Sequence, residues 1–229
     1  MAKKKVTRHD NVQDIENALT KTEQFIEDNQ KVILYALGVI ILIALLVLGF
    51  SRFILQPRNK EAQDQMFMAE NYFGKDSFNL ALNGDGNYLG FLDIIDDYGM
   101  TKAGKLSRYY AGISYLRLGE FDEAISYLSK FKTKDPIIGP MKEGTIGDAY
   151  VQLSEIEKAL KHYQKAYQMS SNEFSTPYYG MKAAAILEEQ DQYAKALEIY
   201  NLIKEKYPRS NEGMNVDKFI ARASAQVKK

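Results

Sequence analysis

The sequence predicts an all-α protein: one long apolar helix, then a solenoid of stacked helix pairs, then a final capping helix. Three observations predict it. Residues 32–51 carry no charge. Beyond residue 105, small, aromatic and turn-forming residues return every 35 to 37 positions. The composition is rich in Ala, Leu, Glu and Lys, with 5 Pro and no Trp in 229 residues, which favours helix over sheet.

Composition also excludes several functions. Thirty basic residues balance 30 acidic ones for a formal net charge of zero, unlike the basic footprint of a nucleic-acid binder. The absence of cysteine removes disulfides, thiolate metal sites, a cysteine nucleophile and a lipidated cysteine.

Residues 1–31 are expected to be a soluble, partly helical segment. Val12, Ile15, Leu19 and Ile26 recur at spacings of three, four and seven, the signature of an amphipathic helix. Asp10, Asp14, Glu16, Glu23, Glu27 and Asp28 make it too acidic for a lipid-surface helix. A partner-contacting helix and a solvated tail both fit.

Residues 32–51 read VILYALGVIILIALLVLGFS. Twenty helical residues rise roughly 30 Å, the thickness of a bilayer's hydrocarbon core. Fourteen of them are Val, Ile, Leu or Phe, so insertion is favoured by several kcal/mol on transfer scales of about −0.3 to −0.6 per residue. The run lacks the polar face of a soluble helix and exceeds the apolar core of a signal peptide, and SRFILQPR offers no small-x-small cleavage site. An uncleaved transmembrane helix is expected. Gly38 and Gly49 do not form a GxxxG face. Orientation is poorly encoded: Lys21 and Lys31 precede the run, Arg52, Arg58 and Lys60 follow it, and Lys3, Lys4, Lys5 and Arg8 lie further out. The basic N-terminus favours a cytoplasmic N-terminus.

Residues 105–210 hold three copies of one pattern, at 105–138, 140–173 and 177–210. Gly112, Tyr115, Gly119, Phe121, Ala124, Leu128, Phe131 and Pro136 superpose on Gly147, Tyr150, Ser154, Ile156, Ala159, Tyr163, Ala166 and Ser171 with an offset of 35. A further shift of 37 reaches Ala184, Leu187, Asp191, Tyr193, Ala196, Tyr200, Ile203 and Pro208, the two extra residues fitting the loop at Ser170–Thr176. Small residues at Gly112, Gly147 and Ala184 let a first helix approach a second, and Ala124, Ala159 and Ala196 reciprocate. Pro136 and Pro208 are expected to stop the second helix.

This pattern, with GEFDEAISYL at its centre, resembles the tetratricopeptide repeat. The chain departs from that family where helix A usually carries Trp, at Arg108, Lys142 and Gly180, and where Ser171 replaces a terminal Pro. Residues 52–104 are expected to be a linker and a degenerate helix pair, formed by QDQMFMAENYF and NYLGFLDIIDDYG with Gly90 as the small contact. Residues 211–229 should form the cap that an open solenoid requires, with Val216, Phe219, Ile220, Ala223 and Val227 on its buried face.

No catalytic constellation emerges. His9 and His162 are the only histidines, too few for a zinc site or a conventional triad, and His162 is expected at the surface. Neither GxxxxGK[ST] nor GxGxxG occurs. Asn83-Gly84-Asp85-Gly86-Asn87 begins like a calcium loop, but Tyr88 replaces its glycine and Ile94 its terminal glutamate; a glycine-rich turn is expected. Asp96-Asp97 and Glu188-Glu189 read as solvated faces. No enzyme activity, cofactor or metal is expected.

The resemblance implies a protein-binding groove lined by helix A residues. Its positions fall on Leu106, Tyr109, Ile113, Leu116 and Arg117 in the first copy, Met141, Gly144, Asp148, Val151 and Gln152 in the second, and Tyr178, Met181, Ala185, Glu188 and Glu189 in the third. Tyr109 and Ile113 stand where carboxylate-clamping relatives carry Lys and Asn, so a groove for extended apolar segments is expected instead.

A short soluble N-terminus, one uncleaved anchor and a small repeat domain together resemble the YfgM-like family of bacterial inner-membrane proteins. That resemblance implies an ancillary subunit of the SecYEG translocon, with the repeats in the periplasm, acting with a PpiD-type chaperone on unfolded secretory or membrane proteins. A structural scaffold of another envelope complex and a cytosol-facing targeting receptor are the alternatives.

Overall fold

A computed structural model describes residues 25–227, all helix and loop with no strand among them. Of the predicted amphipathic helix, Val12, Ile15 and Leu19 lie outside the described residues, as do the basic cluster and His9, while Ile26 is helical and exposed. The chain falls into two units, Met1–Gln56 and Pro57–Lys229.

In the first unit, α1 (Gln30–Phe50) has no buried side chain, and its Val, Ile and Leu residues are exposed all round. Among the described residues it supplies the only stretch long and apolar enough to cross a membrane. The helix does not end where a linker was expected. It widens into a π turn at Ser51–Leu55, where Arg52 Nη1 donates to Gln56 Oε1 at 2.6 Å, and α2 (Gln56–Gly74) is the next element in the chain.

The second unit is a succession of helix pairs. In chain order they are drawn from α2, α3 (Phe78–Asn83), α4 (Phe91–Tyr98), α5 (Lys102–Leu118), α6 (Phe121–Lys130), α7 (Ile138–Gln152), α8 (Ile156–Met169), α9 (Ser175–Glu189), α10 (Tyr193–Lys206) and α11 (Asp217–Val227). Thr101, Asp135 and Asn172 start the A helices of the three copies by capping. Thr101 Oγ1 accepts from the Gly104 N–H at 3.0 Å, Asp135 Oδ1 from Ile137 and Ile138, and Asn172 Oδ1 from Phe174 and Ser175, each satisfying N–H groups that a helix start leaves unpaired.

The turns between A and B helices share one geometry. Gly119, Ser154 and Asp191, aligned by sequence, all adopt left-handed backbone with φ of 83°, 61° and 57°. Each N–H bonds three residues back, to Leu116, Val151 and Glu188, and the next N–H bonds to Tyr115, Tyr150 and Leu187. This is the Schellman closure, which needs one left-handed residue.

The same closure occurs once more. Asp76 has φ 56°, and Asp76 and Ser77 bond back to Phe73 and Tyr72. Shifted by 43 residues, Ala69, Tyr72, Asp76, Phe78 and Ala81 fall on Gly112, Tyr115, Gly119, Phe121 and Ala124. The degenerate pair is therefore α2 with α3. Its small contacts are Ala69 and Ala81, both 0% exposed, and Gly90 instead precedes α4 as its N-cap. The loop after Asn83 splits the second helix, leaving α4 as a separate piece against α5 and Phe73, Phe91 and Tyr110 as an aromatic cluster, with Phe91 stacked on Tyr110 at 5.1 Å. In that loop Asp85 accepts from the Asn87 and Tyr88 N–H groups and the Tyr72 hydroxyl, so its carboxylate closes a turn.

Helix pairs meet where the small residues predicted. A β-carbon on Gly112 would lie 2.5 Å from Leu128 Cγ, and one on Gly147 would lie 2.7 Å from the Tyr163 ring. Ala124, Ala159, Ala184 and Ala196 are fully buried. Pro136 does not end α6. That helix stops at Lys130 because Phe131 turns extended, with ψ 118°, and packs its ring 5.4 Å from Tyr109. Pro208 lies two residues beyond the end of α10, as expected. In the cap, Val216 and Ala223 are fully buried, whereas Val227 is 51% exposed and does not belong to the buried face expected for it.

A left-handed residue with a β-carbon costs about 1–2 kcal/mol relative to glycine in the same conformation, offset in part by the greater chain freedom of glycine when unfolded. Ser154→Gly should therefore stabilise the protein by about 0.5–1 kcal/mol, measured as a higher urea midpoint at unchanged slope. Gly144→Ala should do the reverse, since its β-carbon would fall 1.9 Å from the Tyr179 ring. Overpacking of this kind costs about 1–3 kcal/mol, and thermal denaturation should show it.

Candidate functional site

The predicted groove positions are not one surface. Tyr109 is 7% exposed and packs with Leu128, Phe131 and Ile146. Burial pushes its phenol pKa up to about 12. It belongs to the core, turned there by Phe131, and is not a groove residue. Ile113 packs partly onto the same cluster, and Leu116 is half-buried. Arg117 and Gln152 are exposed on α5 and α7. Gly144 lies beneath Tyr179.

Glu188 is also committed. It is bonded through both carboxylate oxygens to Arg222 of α11 and accepts from the Tyr200 hydroxyl at 3.1 Å. It fastens the cap.

Met141, Tyr178 and Met181 do converge, together with residues the sequence pattern did not single out. One cleft of about 590 Å³ is lined by Tyr178, Met181, Lys182, Ala185, Asn211, Glu212, Lys218 and Phe219 among others. A second, of about 430 Å³, is lined by Met141, Glu173, Phe174, Tyr178, Tyr179, Asn211 and Glu212. Tyr178 stands between them, 44% exposed, and Phe174 is 67% exposed. The outer wall comes from residues 211–219, which lie beyond the last repeat, so a search confined to repeat positions could not find it.

The floor beside Tyr178 is electrostatically fixed. Asp148 Oδ1 accepts from the Tyr163 hydroxyl and from Lys182 Nζ, each at 2.6 Å. Lys182 lies over the Tyr163 and Tyr178 rings at 5.4 and 5.0 Å, a favourable cation–π geometry. Burial alone would lower the Lys182 pKa, but its hydrogen bond and charge contact with Asp148 raise it above the ordinary value. Burial, reinforced by Asp148, likewise raises Tyr163.

A second network went unread. The offset of 35 aligns Arg108 with Glu143 and not with Lys142, so Glu143 is the residue of the second copy that stands at the helix A position expected of Lys142. Glu143 is 1% exposed. It is met by Lys142, His162 and Lys165 at 2.7, 2.9 and 2.8 Å. His162 is thus half-buried, and its ring also stacks 5.4 Å from Tyr150; it is not the free surface residue expected. The missed signal was Glu143 and His162 at adjoining turns of paired helices. These groups form no nucleophile–base pair, and no metal cluster occurs among the described residues.

The chain is similar to known proteins in its repeats. The model of the tetratricopeptide repeat matches residues 106–136 and 179–210. Among solved structures, the nearly identical TPR-like repeats of a putative kinesin light chain from Podosopora anserina give a TM-score of 0.55 at 14% identity, covering 74% of this chain and 88% of that one. A singly substituted form of the same repeats gives 0.55 at 12% identity over the same shares. Similarity at this level shows the fold: an all-α tetratricopeptide-repeat solenoid. No curated protein sequence matches the chain.

Burial on its own would raise the Glu143 pKa, but hydrogen bonds from His162, Lys142 and Lys165 outweigh it and hold the carboxyl at about 2, against 4.5 when unperturbed. A carboxylate held low stabilises the fold above its unfolded pKa and loses that contribution as pH falls through its folded one. Glu143→Gln should lower stability by roughly 3 kcal/mol at pH 7, in keeping with the loss of one partner from a buried pair. Denaturant titrations should show the gap between the two proteins closing between about pH 4.5 and pH 2.

Proposed function

We propose that this chain is a membrane-anchored protein-binding subunit whose repeat domain holds extended, apolar segments of other proteins. One observation carries the reading. A chain with a wholly unburied apolar helix also carries a tetratricopeptide stack whose two adjoining clefts are walled by Met141, Phe174, Tyr178, Met181 and Phe219. Methionine adapts to varied side chains, and aromatic side chains offer large contact areas at small entropic cost. An anchor confines the clefts to one membrane surface and raises their effective concentration there, so weak contacts suffice.

Combined with the YfgM-like organisation, this reading makes the protein an ancillary subunit or chaperone at the SecYEG translocon. It would sit in the bacterial inner membrane with its N-terminus in the cytoplasm and its repeats in the periplasm, receiving unfolded secretory and membrane proteins beside a PpiD-type chaperone. The arrangement calls for binding and release without covalent chemistry.

A photo-reactive amino acid placed at Tyr178 or Met181 should crosslink in living cells to emerging secretory chains and to translocon components, while the same probe at buried Tyr109 should not. In spheroplasts, external protease should degrade residues 57–229. Tyr178→Ala with Met181→Ala should weaken capture of an unfolded client by about tenfold, the effect of losing one or two interface anchors. Protection of the repeats from external protease, or crosslinks only to a different envelope complex, would sink the translocon reading.

A further inference from the structure

A cleft of about 430 Å³ lies away from the groove, lined by Gly99, Met100, Lys105, Arg108 and Lys130. Three of its five lining residues are cations and none is an acid. That is a local excess in a chain whose formal net charge is zero. Seven ion pairs occur among the described residues, and Lys105, Arg108 and Lys130 take part in none of them.

The cations are differently mounted. Arg108 is half-buried, and its Nη1 donates to the Gly99 carbonyl at 3.2 Å. Gly99 has no side chain to obstruct it; a β-carbon there would lie 3.0 Å from Arg108 Nη2. Lys105 stands one turn earlier on α5 and is exposed. Lys130 comes from the last turn of α6, its ammonium 5.7 Å from the Tyr127 ring centre. One guanidinium is thus fixed at the base, and two flexible ammonium groups flank it.

We propose that this cleft binds a phosphate group, free or carried by a lipid headgroup. A phosphate monoester brings about two negative charges and three acceptor oxygens. A planar guanidinium matches two of those oxygens, while lysines supply point charges from the sides. A single carboxylate would leave most of the cleft's positive charge uncompensated. The site is independent of the translocon reading, because none of its residues lines the groove.

Inorganic pyrophosphate is the first probe, added to the full chain in neutral detergent at low salt. It should bind by calorimetry, shield Lys105 and Lys130 from an amine-reactive label, and leave exposed Lys206 labelled as before. Added salt should weaken it. Lys105→Gln or Lys130→Gln, both surface changes, should each reduce affinity roughly three- to tenfold, and Arg108→Gln more, since the charge-assisted bonds are stronger there. Vesicles of phosphatidylcholine with phosphatidate form the second arm: protection by these alone assigns the headgroup, and by pyrophosphate alone a free phosphate. Lack of selective protection in both arms, or protection solely by a phosphoserine peptide, would overturn the proposal.

Discussion

In the four helix pairs that share the turn geometry, a residue with one β-carbon or none on the first helix is matched by a fully buried alanine at the corresponding place on the second: Ala69 and Ala81, Gly112 and Ala124, Gly147 and Ala159, Ala184 and Ala196. This close approach is the constraint from which the domain follows. It brings the two helices near enough for Leu128, Tyr163 and Tyr200 to fill the remaining space. It also requires a chain reversal so short that one residue must turn left-handed. Gly119 accepts that conformation readily; Asp76, Ser154 and Asp191 accept it at a cost offset by the packing that follows.

Where the family places Trp on helix A, this chain finds three different solutions. Gly180 lets Ile199 and Ile203 of α10 close in. Arg108 stays half-buried and donates to a backbone carbonyl. Glu143 goes fully inside and gathers three cations around it. Desolvating such a cluster is expensive, so it stabilises little beyond what packed apolar side chains would. Its effect is to fix register: only one placement of α7 against α8 brings His162 and Lys165 to the same carboxylate. The middle copy is also the one outside the residues that match the repeat model, consistent with its use of charge in place of the usual wedge.

The all-α class, the apolar helix and the positions of the turns were legible because each depends on local periodicity. Gly119, Ser154 and Asp191 aligned in sequence and share one backbone geometry. Of the fourth pair only the first helix was legible; the second was misplaced onto α4, since the loop from Asn83 interrupts it and pushes the offset to 43 residues. The end of α6 was misread because a tertiary contact, Phe131 on Tyr109, outweighs the local signal of Pro136. The same contact draws Tyr109 inward. Groove positions were inherited from a register that says which face of helix A a residue occupies, but not which neighbour covers it. Hence Met141, Tyr178 and Met181 emerged at the clefts, whereas Tyr109 and Glu188 did not.

The cap shows how stability and binding are joined here. A bare last repeat would uncover Tyr200, so α11 must lie over it. Arg222 reaches back to Glu188 and Phe219 lies 5.6 Å from Tyr200, which holds the segment from Asn211 to Phe219 alongside α9. That segment is the second wall of both clefts. Removing the Glu188–Arg222 contact by truncating Arg222 would loosen the wall before it unfolded the repeats, because the Arg222 end of the pair is exposed to solvent screening, while the α9–α10 packing beneath is buried. The groove is thus a property of the finished stack, created where the repeats end and the cap turns back.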